Sequence, residues 1–209
     1  MNSDPYRKSA EKYDTLVEPF ITALRHIGMK VYPPREGMLV LDVGCGTGTN
    51  LCLYHEAGCR VFGIDSSPAM LEEAKKKLGN QAELLLGSAS EMHYPNGFFD
   101  LVTGMLTFHE MPRQIRSQVM NEMVRVLKQY GRILLIDYHP GSIHFPKGWV
   151  HKAVIYFFEI AAGREHFKNF RDFLANKGIP GLIASHKLSM EKSKIVSGGN
   201  LGVYLFCAE

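Results

Sequence analysis

The sequence predicts a doubly wound α/β fold on three observations. Short apolar runs alternate with longer segments of helical spacing over residues 38–137. The first of these runs, 38–43, is continuous apart from Asp42, as a strand buried on both faces is. Three glycines at alternate positions, Gly44, Gly46 and Gly48, then turn the chain directly behind it.

Each element follows from local pattern. Residues 38–43 form the first strand and 47–57 the first helix of the unit. Residues 60–64 are a second strand. Ser67 and Pro68 supply an N-cap and a first-turn proline to a helix ending near Gly79. Residues 82–86 are a third strand, and 98–103 a fourth, after the turn Pro95-Asn96-Gly97. Residues 113–128 carry helical spacing at Ile115, Val119, Met123, Val126 and Leu127, and 132–137 form a fifth strand. Residues 149–162 and 165–177 read as helices. Residues 182–189 and 201–207 read as strands joined across Ser197-Gly198-Gly199-Asn200, an antiparallel hairpin. The expectation is a Rossmann-like, seven-stranded, mostly parallel sheet closed by that hairpin. It forms one domain over 1–209, with an N-terminal helical cap over 1–35 and a helical insert over 141–178.

Composition sets limits. A chain of 209 residues, 45% hydrophobic and 22% charged, suits one globular domain. A net charge of +3 is no footprint for nucleic acid. Cys45, Cys52, Cys59 and Cys207 form no CxxC pair, which indicates neither a zinc site nor a disulfide framework. Residues 1–15 lack the apolar core of a signal peptide. The longest apolar run, 153–158, is broken by Glu159, far short of a membrane span. The expected location is the reducing cytoplasm.

The glycines point to a ligand. In an open α/β sheet, ligands bind outside the carboxyl ends of the strands, where strand order reverses. A loop there must turn tightly and let backbone approach the ligand, and the helix behind it opens with free N–H groups. Asp65, at the end of the second strand, lies 21 positions beyond Gly44, where a carboxylate takes ribose hydroxyls. Loop and acid together indicate a nucleoside cofactor. No Gly-Lys-Ser/Thr follows, which removes a P-loop.

"LDVGCGTGTN" followed by "VFGIDSSPAMLEEAKKK" resembles the first two motifs of class I S-adenosylmethionine-dependent methyltransferases. The resemblance continues through "GSASEMHYPNGFFDLVTGMLTFHEMP" and "EMVRVLKQYGRILLID". "SAEKYDTL" is similar to a segment of the small-molecule branch that includes ubiquinone and menaquinone biosynthesis enzymes. The resemblance implies S-adenosylmethionine as cofactor. It implies that Gly44, Cys45, Gly46 and Gly48 lie along the methionine part, with Asp42 near the amino group. Asp65 would hold the ribose hydroxyls, with Ser66 and Met70 flanking the adenosine. Ser88 stands where the family often has an acid for the adenine amino group, and Ala89 offers its N–H beside it. Met105 and Leu106 would line the cofactor. Lys128-Gln129-Tyr130-Gly131 replaces the family's usual Lys-Pro-Gly-Gly turn in a distal loop.

The acceptor side is read from what remains. His109 follows the fourth strand at the ligand end and is the candidate general base; Glu110, Tyr138 and His139 are weaker candidates. Tyr13, with Tyr6, is a candidate aromatic cover for the sulfonium. Residues 107–112 read Thr-Phe-His-Glu-Met-Pro and lack the Asn/Asp-Pro-Pro-aromatic motif of base and amide methylation. A small, hydrophobic acceptor is expected, with neither nucleic acid nor a transmembrane segment, and with the insert over 141–178 on its side. The sulfonium is an activated donor, and His139, His144 and His151 have no acidic partner among them, so no metal is expected. The rival readings are a cofactor-binding regulator or pseudoenzyme, an aminopropyl transferase, and an NAD-dependent oxidoreductase.

Overall fold

The computed structural model describes residues 4, 6, 7 and 9–208, leaving aside the side chains of residues 16 and 20. Residues 1–3, 5 and 8 of the expected N-terminal cap lie outside the described residues. In chain order the elements are α1 (Ala10–Leu16), α2 (Glu18–Val31), β1 (Leu39–Val43), α3 (Thr49–Glu56), β2 (Arg60–Asp65), α4 (Pro68–Leu78), β3 (Ala82–Leu86) and β4 (Phe99–Met105). They continue with α5 (Arg113–Val126), β5 (Leu127–Tyr138), α6 (Lys147–Ala161), α7 (Arg164–Ala175), α8 (Gly178–Ile183), β6 (Leu188–Val196) and β7 (Leu201–Ala208).

The strands form one seven-stranded sheet in the order β3-β2-β1-β4-β5-β7-β6. β1 pairs in parallel with both β2 and β4, so strand order reverses between β1 and β4. β7 enters antiparallel beside β5 and β6 beside β7, joined by the turn Ser197–Gly199. The core lies on both faces because neighbours along each strand point opposite ways. Leu41, Phe62, Val102, Leu135 and Tyr204 face one side, with Val119, Met120 and Met123 of α5 and Phe173 of α7. Val40, Val61, Leu101, Leu134 and Val203 face the other, with Leu24 of α2 and Leu51 and Tyr54 of α3.

Two expectations are corrected. Residues 182–189 do not form one strand. Ile179 and Ile183, one helical turn apart, are both buried, and α8 places them in the core before β6 starts at Leu188. β6 is an edge strand whose residues 189–195 are exposed, and its charges, including Lys192 and Lys194, guard that edge. Residues 128–131 are not a loop either. α5 passes directly into β5, and Leu127 pairs with Phe99 through a register shift.

A buried arginine joins the ligand end of the sheet to the helices beyond it. Arg116 of α5 donates from Nε to the Phe108 carbonyl at 2.9 Å, from Nη1 to Asp172 at 2.8 Å and from Nη2 to the Asn169 carbonyl at 2.6 Å. Its guanidinium also stacks over the Phe173 ring. Arg116→Met leaves two carbonyls without these donors, and is expected to lower unfolding free energy by about 3 kcal/mol at unchanged denaturant slope. A loss under about 1 kcal/mol in urea denaturation would show that the loop after β4 is held by other contacts.

Candidate active site

The loop after β1 runs through three left-handed glycines, Gly44 (φ 68°), Gly46 (φ 52°) and Gly48 (φ 77°). A Cβ on Gly44 would collide with Thr107, and one on Gly48 would press on Leu78 and Ala74. Nothing lies within 4 Å of the corresponding position at Gly46, where the backbone faces open space. Cys45 turns its side chain into the core beside Gly63, and its N–H is bonded to the Ile64 carbonyl. Burial raises its thiol pKa well above the ordinary value, leaving a neutral packing residue.

Asp65 ends β2 against that loop. Its Oδ2 accepts from Gly46 N–H and its Oδ1 from Ser67 N–H, both at 2.8 Å. Burial raises its pKa, opposed by those two bonds. Ser67 caps α4 by accepting from Met70 N–H. Asp4 accepts from Ser67 Oγ and Ala69 N–H, which lays the N-terminal segment over the start of α4. Ser66 is exposed beside Asp65, whereas Met70 is buried beneath it. Ser88 is exposed and shares a 2.7 Å hydrogen bond with Ser90, and Ala89 is half-buried. Met105 and Leu106 are half-buried after β4, and Leu106 holds a positive φ of 52°, rare for a branched residue.

Beneath the loop, Asp42 is buried and accepts from Thr103 Oγ1 at 2.6 Å and from Asn50. Burial pushes its pKa up to about 6; the Thr103 and Asn50 bonds and the Arg25 charge limit the rise. Arg25 of α2 is buried and pairs through Nη2 with Glu18 at 2.7 Å, while its Nε and Nη1 have no hydrogen-bond partner among the described residues. The N-terminal helix is latched to the loop. Thr47 Oγ1 donates to Asp14 at 2.6 Å, and Lys77 pairs with Asp14 and donates to Thr49.

A second cluster lies beyond β4 and β5. His109 is buried and places Nδ1 2.9 Å from Asp137 and Nε2 3.6 Å from Glu159. Burial alone would lower its pKa, but the charge and hydrogen bond of Asp137 and the charges of Glu159 and Glu110 raise it to about 9. With no cation beside the ring those acids favour its protonated form, which disfavours the expected role of His109 as general base. Tyr6 donates to Glu110 at 2.6 Å, and its ring meets Tyr13 edge-on. Burial, then the Glu110 charge, pushes the Tyr13 pKa up to about 12, so both tyrosines are neutral donors. Tyr138 OH donates to Glu159 at 2.9 Å, while His139 turns away to Tyr204. A hollow of about 290 Å³ opens beside Tyr138 and Phe170, walled by Ile155 and Tyr156. A larger hollow of about 590 Å³ lies at the opposite strand ends, around Arg60 and Gln81, and holds none of these groups.

Of the expected residues, Asp42, Gly44, Cys45, Gly46, Gly48, Asp65, Ser66, Met70, Met105 and Leu106 stand at or just after the ends of β1, β2 and β4, Ser88 and Ala89 follow β3, and Tyr13 lies on α1; Arg25, Asn50, Asp137, Glu159 and His166 stand near them without having been expected. Glu159 had a visible signal, a single charge inside the apolar helix 153–162. Arg25 had none, because only packing shows that it is buried.

The chain matches the family described as a methyltransferase domain over residues 40–131. It is 32% identical over 160 residues to a demethylmenaquinone methyltransferase of Bacillus mycoides, a match covering 70% of this chain and 66% of that protein. It is 36% identical over 115 residues to an uncharacterized methyltransferase of Synechocystis, covering 54% of this chain and 51% of that protein. In sequence the chain is thus similar to methyltransferases, with the family match confined to residues 40–131. The matches span just under two thirds of the first relative's length and about half of the second's. A methyltransferase from Aquifex aeolicus shares the fold at a TM-score of 0.67 and 20% identity, over 96% of this chain and 99% of that one.

Two measurements follow. Asp65→Ala is expected to weaken S-adenosylhomocysteine binding at least tenfold by calorimetry, since each charge-assisted bond to a ribose hydroxyl contributes about 1.5–3 kcal/mol. Unchanged affinity in a folded variant would remove Asp65 from the site. Asp42 bears on stability. Its pKa rises from ~3.9 unfolded to about 6 in the fold, so its favourable contribution is complete below pH 4 and lost as pH climbs through 6. Relative to Asp42→Asn, the wild type is expected to lose about 3 kcal/mol of stability between pH 4 and 7. A difference flat with pH would show an ordinary carboxylate.

Proposed function

We propose that the chain transfers a methyl group from S-adenosylmethionine to a small, apolar acceptor entering from the side of β4, β5, α6 and α7. One observation carries this reading. The glycine loop, Asp65 and the Leu106 turn converge at the point where strand order reverses, and the tyrosine and carboxylate cluster lies directly beyond the loop after β4.

The proposed roles follow from that placement. The backbone of Gly44, Cys45, Gly46 and Gly48 runs along the methionine chain, with Asp42 toward its amino group. The unpartnered nitrogens of Arg25 suit its carboxylate. Asp65 and Ser66 take the ribose, Met70 packs beneath the adenosine, and Ser88 and Ala89 face the adenine. Met105 and Leu106 line the cofactor, and Tyr13 offers an aromatic face to the sulfonium. Transfer is an in-line displacement: the acceptor atom bonds the methyl carbon as the carbon–sulfur bond breaks, and S-adenosylhomocysteine leaves. Positioning supplies most of the rate, and excluding water protects the donor. His109 is a positioning residue here, held between Asp137 and Glu159.

An apolar acceptor is supported by α6. Trp149 and Phe157 are 55% and 69% exposed, and Val150, Val154 and Ile160 are exposed with them. Such a face beside a binding hollow marks apolar contact. The Bacillus relative is named for demethylmenaquinone, and we carry over only the class, a ring-bearing apolar molecule. A helical cover over the acceptor, drawn from residues 6–20 of the N-terminal cap and 145–160 of the insert, belongs to this reading; residue 8 and the side chains of residues 16 and 20 lie outside the described residues. Among the described residues no helix is long and apolar enough to cross a membrane. A cytoplasmic location is proposed with the four free cysteines in its favour.

The test is transfer of labelled methyl from S-adenosylmethionine to a fractionated cell extract. Label is expected in the solvent-extractable small-molecule fraction. Label in nucleic acid or protein would overturn the acceptor class, and saturable cofactor binding with no transfer to any fraction would favour a regulator.

A further inference from the structure

The cluster beyond β5 is more fully organised than methyl transfer alone requires. His109 comes from the loop after β4, Glu159 from the inner face of α6, and His166 from the first turn of α7. Gly163, at φ 116°, turns the chain between the two helices and brings the last two together. One ligand-type atom from each of the three lies within 4.8 Å of the others. We propose that His109, Glu159 and His166 bind one divalent transition-metal ion through the two Nε2 atoms and the carboxylate.

Three features carry the proposal. The first is spacing. Glu159 Oε1 lies 3.6 Å from His109 Nε2 and Glu159 Oε2 lies 2.9 Å from His166 Nε2, so the carboxylate spans the two imidazoles. Donors held ~2.0–2.2 Å from one ion at tetrahedral or octahedral angles stand about 3.0–3.5 Å apart.

The second is the support behind each ligand. Asp137 holds His109 Nδ1 at 2.9 Å, and Glu110 faces His166 Nδ1 at 3.6 Å. Each contact leaves Nε2 as the nitrogen turned toward the centre. Tyr138 OH holds the Glu159 carboxylate at 2.9 Å. Carboxylates behind metal-bound imidazoles orient the ring and raise its basicity.

The third is a poorly satisfied atom. Glu159 is 5% exposed, and among the described residues the one group facing its Oε2 is the His166 ring, with Nε2 2.9 Å away in an ion-pair contact rather than a well-directed hydrogen bond. An ion seated beside that line would satisfy both atoms.

The donor set names the metal class. Two imidazoles and one carboxylate, with no thiolate, suit zinc, iron, cobalt, nickel or manganese rather than the all-oxygen shells of magnesium and calcium. Three protein ligands leave open positions. The consequence for the reaction rests on the methyl-transfer reading: an acceptor hydroxyl would occupy an open position and lose its proton to water more readily. Its oxygen would then bond the methyl carbon as the carbon–sulfur bond breaks. That makes the acceptor a phenol or enol class of molecule. The sequence offered His139, His144 and His151 as its histidine cluster, and none of these belongs to the site.

Cobalt(II) tests the site without catalysis. After treatment with EDTA and its removal, the protein is titrated with Co²⁺, followed by visible absorption and equilibrium dialysis. One saturable site per chain with a Kd in the micromolar range or below is expected. His166→Ala and Glu159→Gln should each weaken it at least tenfold, and His144→Ala should leave it unchanged. S-adenosylhomocysteine affinity on the same samples reports folding and the cofactor site, so loss of cobalt binding alone leaves the methyl-transfer reading standing. If Glu159→Gln does not fold, His166→Ala decides. No saturable cobalt binding, or binding unchanged by His166→Ala, overturns the proposal.

Discussion

The carboxylate of Asp137 is the constraint on which the ligand ends of β4 and β5 depend. It is 1% exposed at the end of β5, and it accepts from the N–H groups of Phe108, His109 and Tyr138 and faces the His109 ring. A buried charge is tolerable only when its lone pairs are satisfied, and here backbone donors do most of that. Two of those donors, Phe108 and His109, come from the loop after β4, and the third, Tyr138, from the end of β5 itself. The acid therefore ties the two central strands together at their ligand ends and sets where the His109 ring must stand. Arg116 holds the same loop from behind, through the Phe108 carbonyl.

The ligand ends of β1 and β2 rest on a different device. Asp65 spends one oxygen on Gly46 and the other on Ser67, so the loop after β1 and the start of α4 are positioned by one side chain. Each carboxylate oxygen keeps a second lone pair for a further donor. The N-terminal segment then crosses both halves. Asp4 meets the start of α4, Asp14 meets Thr47 and Lys77, and Tyr6 meets Glu110. These links span the loop after β1 and the loop after β4, so a ligand that moves one loop pulls on the same segment as a ligand that moves the other.

The parallel half of the fold was legible because its signals are local. An apolar run with one acid, a glycine turn, a serine cap and a proline each act within a few residues, and strand-helix alternation leaves few topologies. Asp65 was legible for the same reason, since its distance from the loop is set by one helix and one strand. The end of the chain was read less well. Residues 182–189 have enough branched apolar residues for a strand, yet Ile179 and Ile183 face the core as a helical turn because α7 and β5 leave a space of that shape.

By itself the sequence determined a mostly parallel seven-stranded sheet closed by an antiparallel hairpin, and the glycine turn and Asp65 at the ends of its first two strands. It also located His109 at the ligand end. Only the tertiary structure decided what His109 is. Its neighbours, Asp137, Glu159 and His166, lie 28, 50 and 57 positions away along the chain. Whether an imidazole takes protons, keeps one or binds a metal depends on the charges within a few ångströms of it. Those charges come from three separate elements, and no local pattern of residues records how folding brings them together.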